Sequence, residues 1–317
     1  MDAAQRNAKS QILVAAGTFA MVSLMAAVKA RIGRPVVLNL RSPGDRRADE
    51  TGRCVACGAD TRFAFSSWVI GDDLHACWAD PSVSRAYARR ESMFCHCCCA
   101  NLRVRRIAEV LISLYGPAGC RSCAELVEDP VFRTLDIAEI NTIGALGALH
   151  SFLGRLPRLA FSEYQGPQRL GETIEGARNE DICRLTYPDA AFDLVLSSDT
   201  LEHVQDFRAA LAETRRVLRP GGRHIFTVPV VWTRPTTGAR ARIGDDGEIV
   251  HLMPALYHGR GSGLYRFIPV GQDLLTFTEF GRDIVDYLCE AGFEPEIYEG
   301  PDDSTGAQTV FAGRVSE

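Results

Sequence analysis

Residues 187–229 read YPDAAFDLVLSSDTLEHVQDFRAALAETRRVLRPGGRHIFTVP, and this stretch decides the fold. Residues 192–198 (FDLVLSS) form a short apolar run bounded by polar residues, the pattern of a strand buried on both faces. Over residues 206–218 the apolar side chains recur at helical spacing, with Phe207, Ala210, Leu211, Val217 and Leu218 on one face. Arg219-Pro220-Gly221-Gly222 ends that helix, and residues 224–228 predict the next strand. Strand, helix, turn and strand make a βαβ unit. Asp199, Glu202 and His203 then fall just past the carboxyl end of its first strand, where open α/β sheets bind ligands.

The same alternation extends over residues 130–317. A first strand is expected at 133–138, a first helix at 143–153, a second strand at 158–162 and a short third strand near 173–177. A helix at 279–291 stops at Gly292. Residues 293–298 and 308–313 predict two closing strands, joined through the turn-forming Gly300-Pro301-Asp302-Asp303. No internal repeat and no low-complexity tract interrupts the chain.

The 187–229 stretch resembles the second half of a class I S-adenosylmethionine (SAM)-dependent methyltransferase. The resemblance rests on several pieces in order: Phe192-Asp193-Leu194-Val195, then Leu201-Glu202-His203-Val204, then Glu213 through Gly222 as E-x-x-R-V-L-x-P-G-G. It implies a Rossmann-like doubly wound α/β sheet, mostly parallel, with the two closing strands as an antiparallel edge hairpin. It also implies SAM as cofactor and transfer of a methyl group. One piece departs from the pattern. The glycine-rich loop expected after the first strand is replaced by Thr134-Leu135-Asp136-Ile137-Ala138-Glu139-Ile140-Asn141, and the first glycines come late, at Gly144 and Gly147.

Two readings follow from that departure. In one, cofactor binding is lost and the fold serves as a non-catalytic partner. In the other, the chain resembles a methyltransferase branch that pairs a cysteine-rich N-terminal module with a modified first motif, in which Glu139 helps hold the ammonium end of SAM. The second is favoured because other acidic positions survive. Glu163, followed by Tyr164, stands at the end of the second strand, where a carboxylate can accept from both ribose hydroxyls. By resemblance, Asp181 accepts from the adenine amino group and Ile182 covers the ring, while Ser198 and Leu201 line the donor site.

Methyl transfer is an in-line displacement, so an enzyme mainly positions the acceptor and, for a hydroxyl, removes its proton. His203 and Asp199 are candidates near the donor. The long segment 232–277 reads as a lid or binding loop. It carries His251, Tyr257, His258, Tyr265 and Phe267, with His258 and Tyr257 the favoured acceptor-side groups. Ordered surface histidines are the plain alternative. The expected acceptor is an oxygen or nitrogen of a small molecule or glycan.

Eleven cysteines are many for 317 residues, and seven lie between Cys54 and Cys99. Cys54-x-x-Cys57 and Cys95-x-x-Cys98 have the pairing of a four-thiolate structural zinc ribbon, which would fold a module too small to build its own core. Cys120-x-x-Cys123 is a third pair; it could join Cys77, His96, Cys97 or Cys99 in a second site or be redox-active. Metal-bound thiolates fit a reducing, cytoplasmic setting better than a disulfide framework does.

The predicted organisation is therefore an apolar helix at 1–35, a linker at 36–50, a zinc-ribbon-like module at 51–125 and the α/β domain at 130–317. Residues 12–28 carry no charge. They are short for a membrane span, and read either as a buried or partner-packing helix or as a membrane-surface anchor. The net charge of -5 is uneven: residues 1–130 carry 17 basic against 13 acidic side chains, the remainder 18 against 27. An acidic catalytic half with few lysines argues against a nucleic-acid track. A methyltransferase directed at RNA or protein, docking through the zinc module, is the third reading.

Overall fold

A computed structural model describes residues 50–65, 81–143, 147–257, 275–301 and 303–316. They fall into two compact units. The first holds the described residues up to 134 with 143 and 147–157; the second holds 135–142, 158–257 and 275–316. The expected helix at 1–35 and the linker as far as residue 49 lie outside the described residues.

The first unit carries a three-stranded antiparallel sheet of β1 (Glu50–Arg53), β2 (Asp60–Phe65) and β3 (Met93–Cys95). Helix α1 (Pro81–Ser92) leads directly into β3, and α2 (Leu102–Tyr115) follows it. The Asn101 side chain caps α2 by accepting from the Val104 N–H. Ile107, Ala108 and Leu111 bury its apolar face completely. Two short helices complete this unit, α3 (Cys123–Leu126) and α4 (His150–Leu153). The first helix expected at 143–153 is therefore shorter: among the described residues only His150–Leu153 is α-helical.

The second unit is an eight-stranded sheet. Its strands are β4 (Ile137–Ile140), β5 (Leu159–Glu163), β6 (Thr173–Ile174), β7 (Ala177–Asn179), β8 (Phe192–Ser198), β9 (Leu218–Thr227), β14 (Phe293–Tyr298) and β15 (Val310–Val315). Their spatial order is β14-β15-β9-β8-β4-β5-β7-β6. β7, β5, β4, β8 and β9 run parallel, while β15 is antiparallel to both β9 and β14. The sheet is thus mostly parallel with an antiparallel closing hairpin, as the sequence predicts. From β4 the chain builds outward to β5 and β7, then returns to place β8 on the other side of β4. That reversal makes the carboxyl ends of β4 and β8 the expected ligand crevice.

Helix α5 (Phe207–Val217) follows the predicted βαβ order, with Asp206 capping it through the Ala209 N–H. Its Ala210, Leu211 and Val217 enter a core shared with Ala138, Ile140, Val195, Phe226, Ile284, Leu288 and Phe311. The E-x-x-R piece of the motif has a local cause. Arg216 makes a two-pronged pair with Glu213 (2.8 and 2.7 Å) and also donates to the carbonyls of Leu185 (2.9 Å) and Tyr187 (2.9 Å). Glu213 in turn accepts from the Leu185 N–H. One helix turn therefore ties down the loop that feeds β8.

The Pro-Gly-Gly piece ends the helix but does not precede the strand. β9 already pairs at Leu218↔Phe192, and the four residues that follow bulge out before pairing resumes at Arg223↔Leu194. Gly221 takes φ 76° there, and a Cβ on Gly222 would meet the Arg219 carbonyl at 2.9 Å.

Three further elements differ from expectation. The first strand begins at Ile137 rather than 133. Asp129 Oδ1 accepts from the N–H groups of Val131 and Phe132, and a 3-10 turn occupies Phe132–Thr134. The expected third strand is a hairpin, β6 and β7, turned by Glu175 and Gly176 at φ 51° and 89°. Helix α6 (Ile284–Glu290) is shorter than 279–291, because β13 (Thr278–Glu279) pairs instead with β10 (Gly238–Ala239). The Glu279 carboxylate there holds Arg234 and Arg240, and Asp283 accepts three bonds from Thr237. Within the expected loop 232–277, β11 (Ala241–Ile243) and β12 (Ile249–His251) form a further hairpin.

Candidate functional sites: a strand-end crevice and a thiolate cluster

At the crevice, each strand end is followed by an unusual backbone. β4 ends at Ile140, and Asn141 takes the left-handed conformation with φ 60°; β8 ends at Ser198, and Asp199 does so with φ 48°. Non-glycine residues in this region are uncommon, asparagine and aspartate being the best suited. Asp199 is held there by two contacts with β9: its N–H donates to the Thr227 carbonyl (2.9 Å), and its Oδ1 accepts from Thr227 Oγ1 (2.8 Å). Ser198 Oγ lies 2.9 Å from the same hydroxyl. Ser198, Asp199 and Thr227 thus make one polar group at the β8–β9 end.

The β4–β5 end is polar as well. Glu163 Oε1 accepts from the Thr142 N–H (2.9 Å) and from the Thr142 hydroxyl. Tyr164, 45% exposed, donates its N–H to Asn141 Oδ1 (3.3 Å). Glu139 does not stand past the strand end. Because β4 starts four residues later than expected, Glu139 lies within the strand, fully buried, in register with Phe161 and Leu196.

Beyond β7, Asp181 is half-buried and its Oδ1 accepts from the Cys183 N–H (2.9 Å). Its neighbour Glu180 is the buried carboxylate, committed to Arg178 (2.6 Å) and to both donors of Thr186. Ile182 is 4% exposed and belongs to the core, with Leu185 and Tyr187. It is thus a packing residue rather than an open platform for a ring, and Leu201 is likewise fully buried.

His203 sits in a 3-10 turn (Leu201–His203) after β8. Its Nδ1 lies 3.0 Å from the Leu275 carbonyl. A carbonyl only accepts, so Nδ1 carries the proton and Nε2 is the nitrogen that can take one up. Nε2 is 3.7 Å from the buried Glu202 carboxylate. Tyr257 is half-buried and bridges to Leu275. His251 is exposed at the end of β12. His258, Tyr265 and Phe267 lie outside the described residues.

Sequence reading missed Asn141, Thr142 and Thr227. Thr227 was legible as the last residue of a strand paralleling FDLVLSS. Asn141 and Thr142 carry no local signal, because the family pattern places glycine at that turn.

In the first unit, Cys54 and Cys57 lie on the β1–β2 turn, and Cys95 and Cys98 on the turn leaving β3. Their four sulfurs all lie within 4.8 Å of one another, with Cys54–Cys98 and Cys57–Cys95 at 3.9 Å. A tetrahedral zinc with Zn–S near 2.3 Å requires sulfur–sulfur edges of about 3.8 Å, so the donor set fits that ion. Hydrogen bonding to Cys54 pushes the Cys57 and Cys98 thiols up and the Cys95 thiol down.

Backbone groups support both turns. The Cys97 N–H points at Cys95 Sγ (3.3 Å), and the N–H groups of Cys123 and Ala124 donate to the carbonyls of Val55 and Ala56. The start of α3 therefore braces the first turn through the backbone of Cys123 and Ala124. Arg105 is buried with its guanidinium 3.9 Å from the Phe63 ring, and Phe63 pairs with Cys95 across the sheet. Cys77 lies outside the described residues.

Strand order and switch point make the second unit a Rossmann-like doubly wound domain. Residues 162–226 match the protein family described as "Methyltransferase domain". Over 66 residues the chain is 44% identical to a sarcosine/dimethylglycine N-methyltransferase of Halorhodospira halochloris, covering 21% of this chain and 22% of that protein. Over 102 residues it is 34% identical to a demethylmenaquinone methyltransferase of Deinococcus radiodurans, covering 31% and 39%. The chain thus spans well under half the length of these relatives. A solved Burkholderia thailandensis 1,6-didemethyltoxoflavin-N1-methyltransferase, with bound 1,6-didemethyltoxoflavin and S-adenosylhomocysteine, is 17% identical, covers 82% of this chain and 97% of that one, and has a TM-score of 0.36. Among the described residues, no helix is long and apolar enough to cross a membrane.

Proposed function

We propose that the chain is a SAM-dependent methyltransferase acting on an oxygen or nitrogen of a small-molecule or glycan acceptor. The observation that carries this reading is the pair of polar strand ends at the switch point: Asn141, Thr142 and Glu163 on one side, Ser198, Asp199 and Thr227 on the other. Loss of the glycine loop has not emptied the crevice of hydrogen-bonding groups. The relatives named above are methyltransferases of small molecules by name, which supports a small-molecule acceptor.

SAM supplies an electrophilic methyl group on a sulfonium. Glu163 would accept from the ribose hydroxyls and Asp181 from the adenine amino group. Asp199 and Ser198 would line the donor end. His203, with its Nδ1 proton donated to a backbone carbonyl, presents Nε2 as the group able to take a proton from a hydroxyl or amine acceptor. Tyr257 and His258 would meet the acceptor from the 232–277 segment. Residues 51–125 are assigned as a structural zinc module on Cys54, Cys57, Cys95 and Cys98, and 130–317 as the catalytic domain.

The test is transfer itself. Zinc-replete protein is incubated with methyl-labelled SAM and a panel of small amines, phenols, quinols and sugars, and S-adenosylhomocysteine release is followed. Acceptor-dependent release that His203→Ala reduces by about 10²-fold or more supports the assignment. No release above background with any acceptor, from protein that also fails to bind SAM, makes the fold a non-catalytic partner.

A further inference from the structure

We propose that Asn141 and Thr142 replace the missing glycine loop, and that Thr142 is the positioning residue that aims Glu163 at the ribose of the cofactor. The proposal rests on the SAM-binding reading above and adds residues which that reading did not contain.

A glycine loop at this place lets the chain turn sharply off the strand and come close to the ligand. The first task needs a left-handed residue, and Asn141 supplies it at φ 60°. Asparagine tolerates that conformation better than most side-chain-bearing residues. Asn141 is also stitched to β5 on both sides of Glu163: its N–H donates to the Ser162 carbonyl (2.9 Å), and its Oδ1 accepts from the Tyr164 N–H (3.3 Å). The turn is therefore fixed against the strand that carries the acid.

Thr142 contributes something a glycine could not. Both of its donors, N–H and hydroxyl, converge on one oxygen of the Glu163 carboxylate. A glutamate side chain has three rotatable bonds and loses much freedom when a ligand orders it. Thr142 imposes that order before the ligand arrives, which is preorganisation. An ionised carboxylate accepts in about four directions. Engagement at Oε1 fixes the orientation in which the Glu163 carboxylate would meet a pair of vicinal hydroxyls. Valine at 142 keeps the shape and the N–H bond but loses the hydroxyl bond; serine keeps both.

The experiment is calorimetric titration of the full-length, zinc-replete chain with S-adenosylhomocysteine and with its 2′,3′-dideoxy analogue. Thr142→Val is expected to weaken binding of the first by about three- to tenfold, the worth of one hydrogen bond to a charged group acting through orientation. Thr142→Ser should restore wild-type affinity, and the dideoxy analogue should bind wild type and Thr142→Val equally. Should Thr142→Val unfold, Thr142→Ser against Thr142→Ala supplies the same comparison. Equal weakening of both ligands would reduce Thr142 to a structural residue and overturn the inference, as would no weakening at all. Those two outcomes leave the SAM reading standing. Failure of wild type to bind S-adenosylhomocysteine overturns both.

Discussion

Lowering the pH from neutral to about 5 should cost the α/β unit about 2 kcal/mol of stability through one side chain, His224. His224 lies in β9 with no exposed surface. Its ring stacks on Phe226 at 4.7 Å, Phe293 lies 6.4 Å away, and Nε2 is 2.9 Å from Ser197 Oγ. Burial alone pushes its pKa from 6.5 down to about 3. The sign follows from which state takes up the proton. Below 6.5 the unfolded chain binds a proton that the folded chain refuses. Stability is therefore full above 6.5 and falls by about 1.4 kcal/mol per unit as pH drops toward 3. The assay is denaturant unfolding of zinc-replete wild type and His224→Gln at several pH values. Glutamine changes packing by an amount that does not depend on pH, so the difference in slope isolates the ring. Parallel slopes for the two proteins, or a His224 ring resonance titrating near its ordinary value, would refute the argument.

Other consequences are equally direct. Under the proposed zinc assignment, a strong chelator, or replacing Cys95 by Ser, should unfold the β1–β3 module, because three short strands and their flanking helices would depend on four converging thiolates; circular dichroism should change as zinc is released. Arg216→Lys should lower stability by about 1–2 kcal/mol in denaturant melts, since an ammonium cannot hold Glu213 with two prongs while also reaching two loop carbonyls. Gly313→Ala should destabilise by a further ~1–3 kcal/mol, because the added Cβ would stand 2.8 Å from the Phe293 ring inside the closing hairpin.

The parts of the fold legible in the sequence were those with redundant local signals. FDLVLSS, the amphipathic 206–218 helix and the helix-ending Pro-Gly-Gly agree with one another, and the first strand and the helix appear within a residue or so of expectation, while the second strand starts six residues early, ahead of the Pro-Gly-Gly bulge. The convergence of Cys54, Cys57, Cys95 and Cys98 was legible because two C-x-x-C turns present sulfurs in pairs. What was not legible depends on contacts distant in sequence. The start of β4 is set by an Asp129 turn, and the end of the 279–291 helix pattern is taken by Glu279, drawn to Arg234 and Arg240. Ile182, which sequence resemblance assigned to a ring, is a core residue because Leu185 and Tyr187 pack around it. Thr142 carries no signal of its own; its meaning comes from Glu163, 21 residues away.

The measurement that bears most directly on the account is calorimetric titration of zinc-replete protein with SAM, set beside Glu163→Ala. The account predicts saturable binding by wild type at one site per chain, and a loss of affinity of about tenfold or more when the carboxylate that meets the ribose is removed. Wild-type protein that is folded and metal-loaded yet takes up no SAM would contradict it.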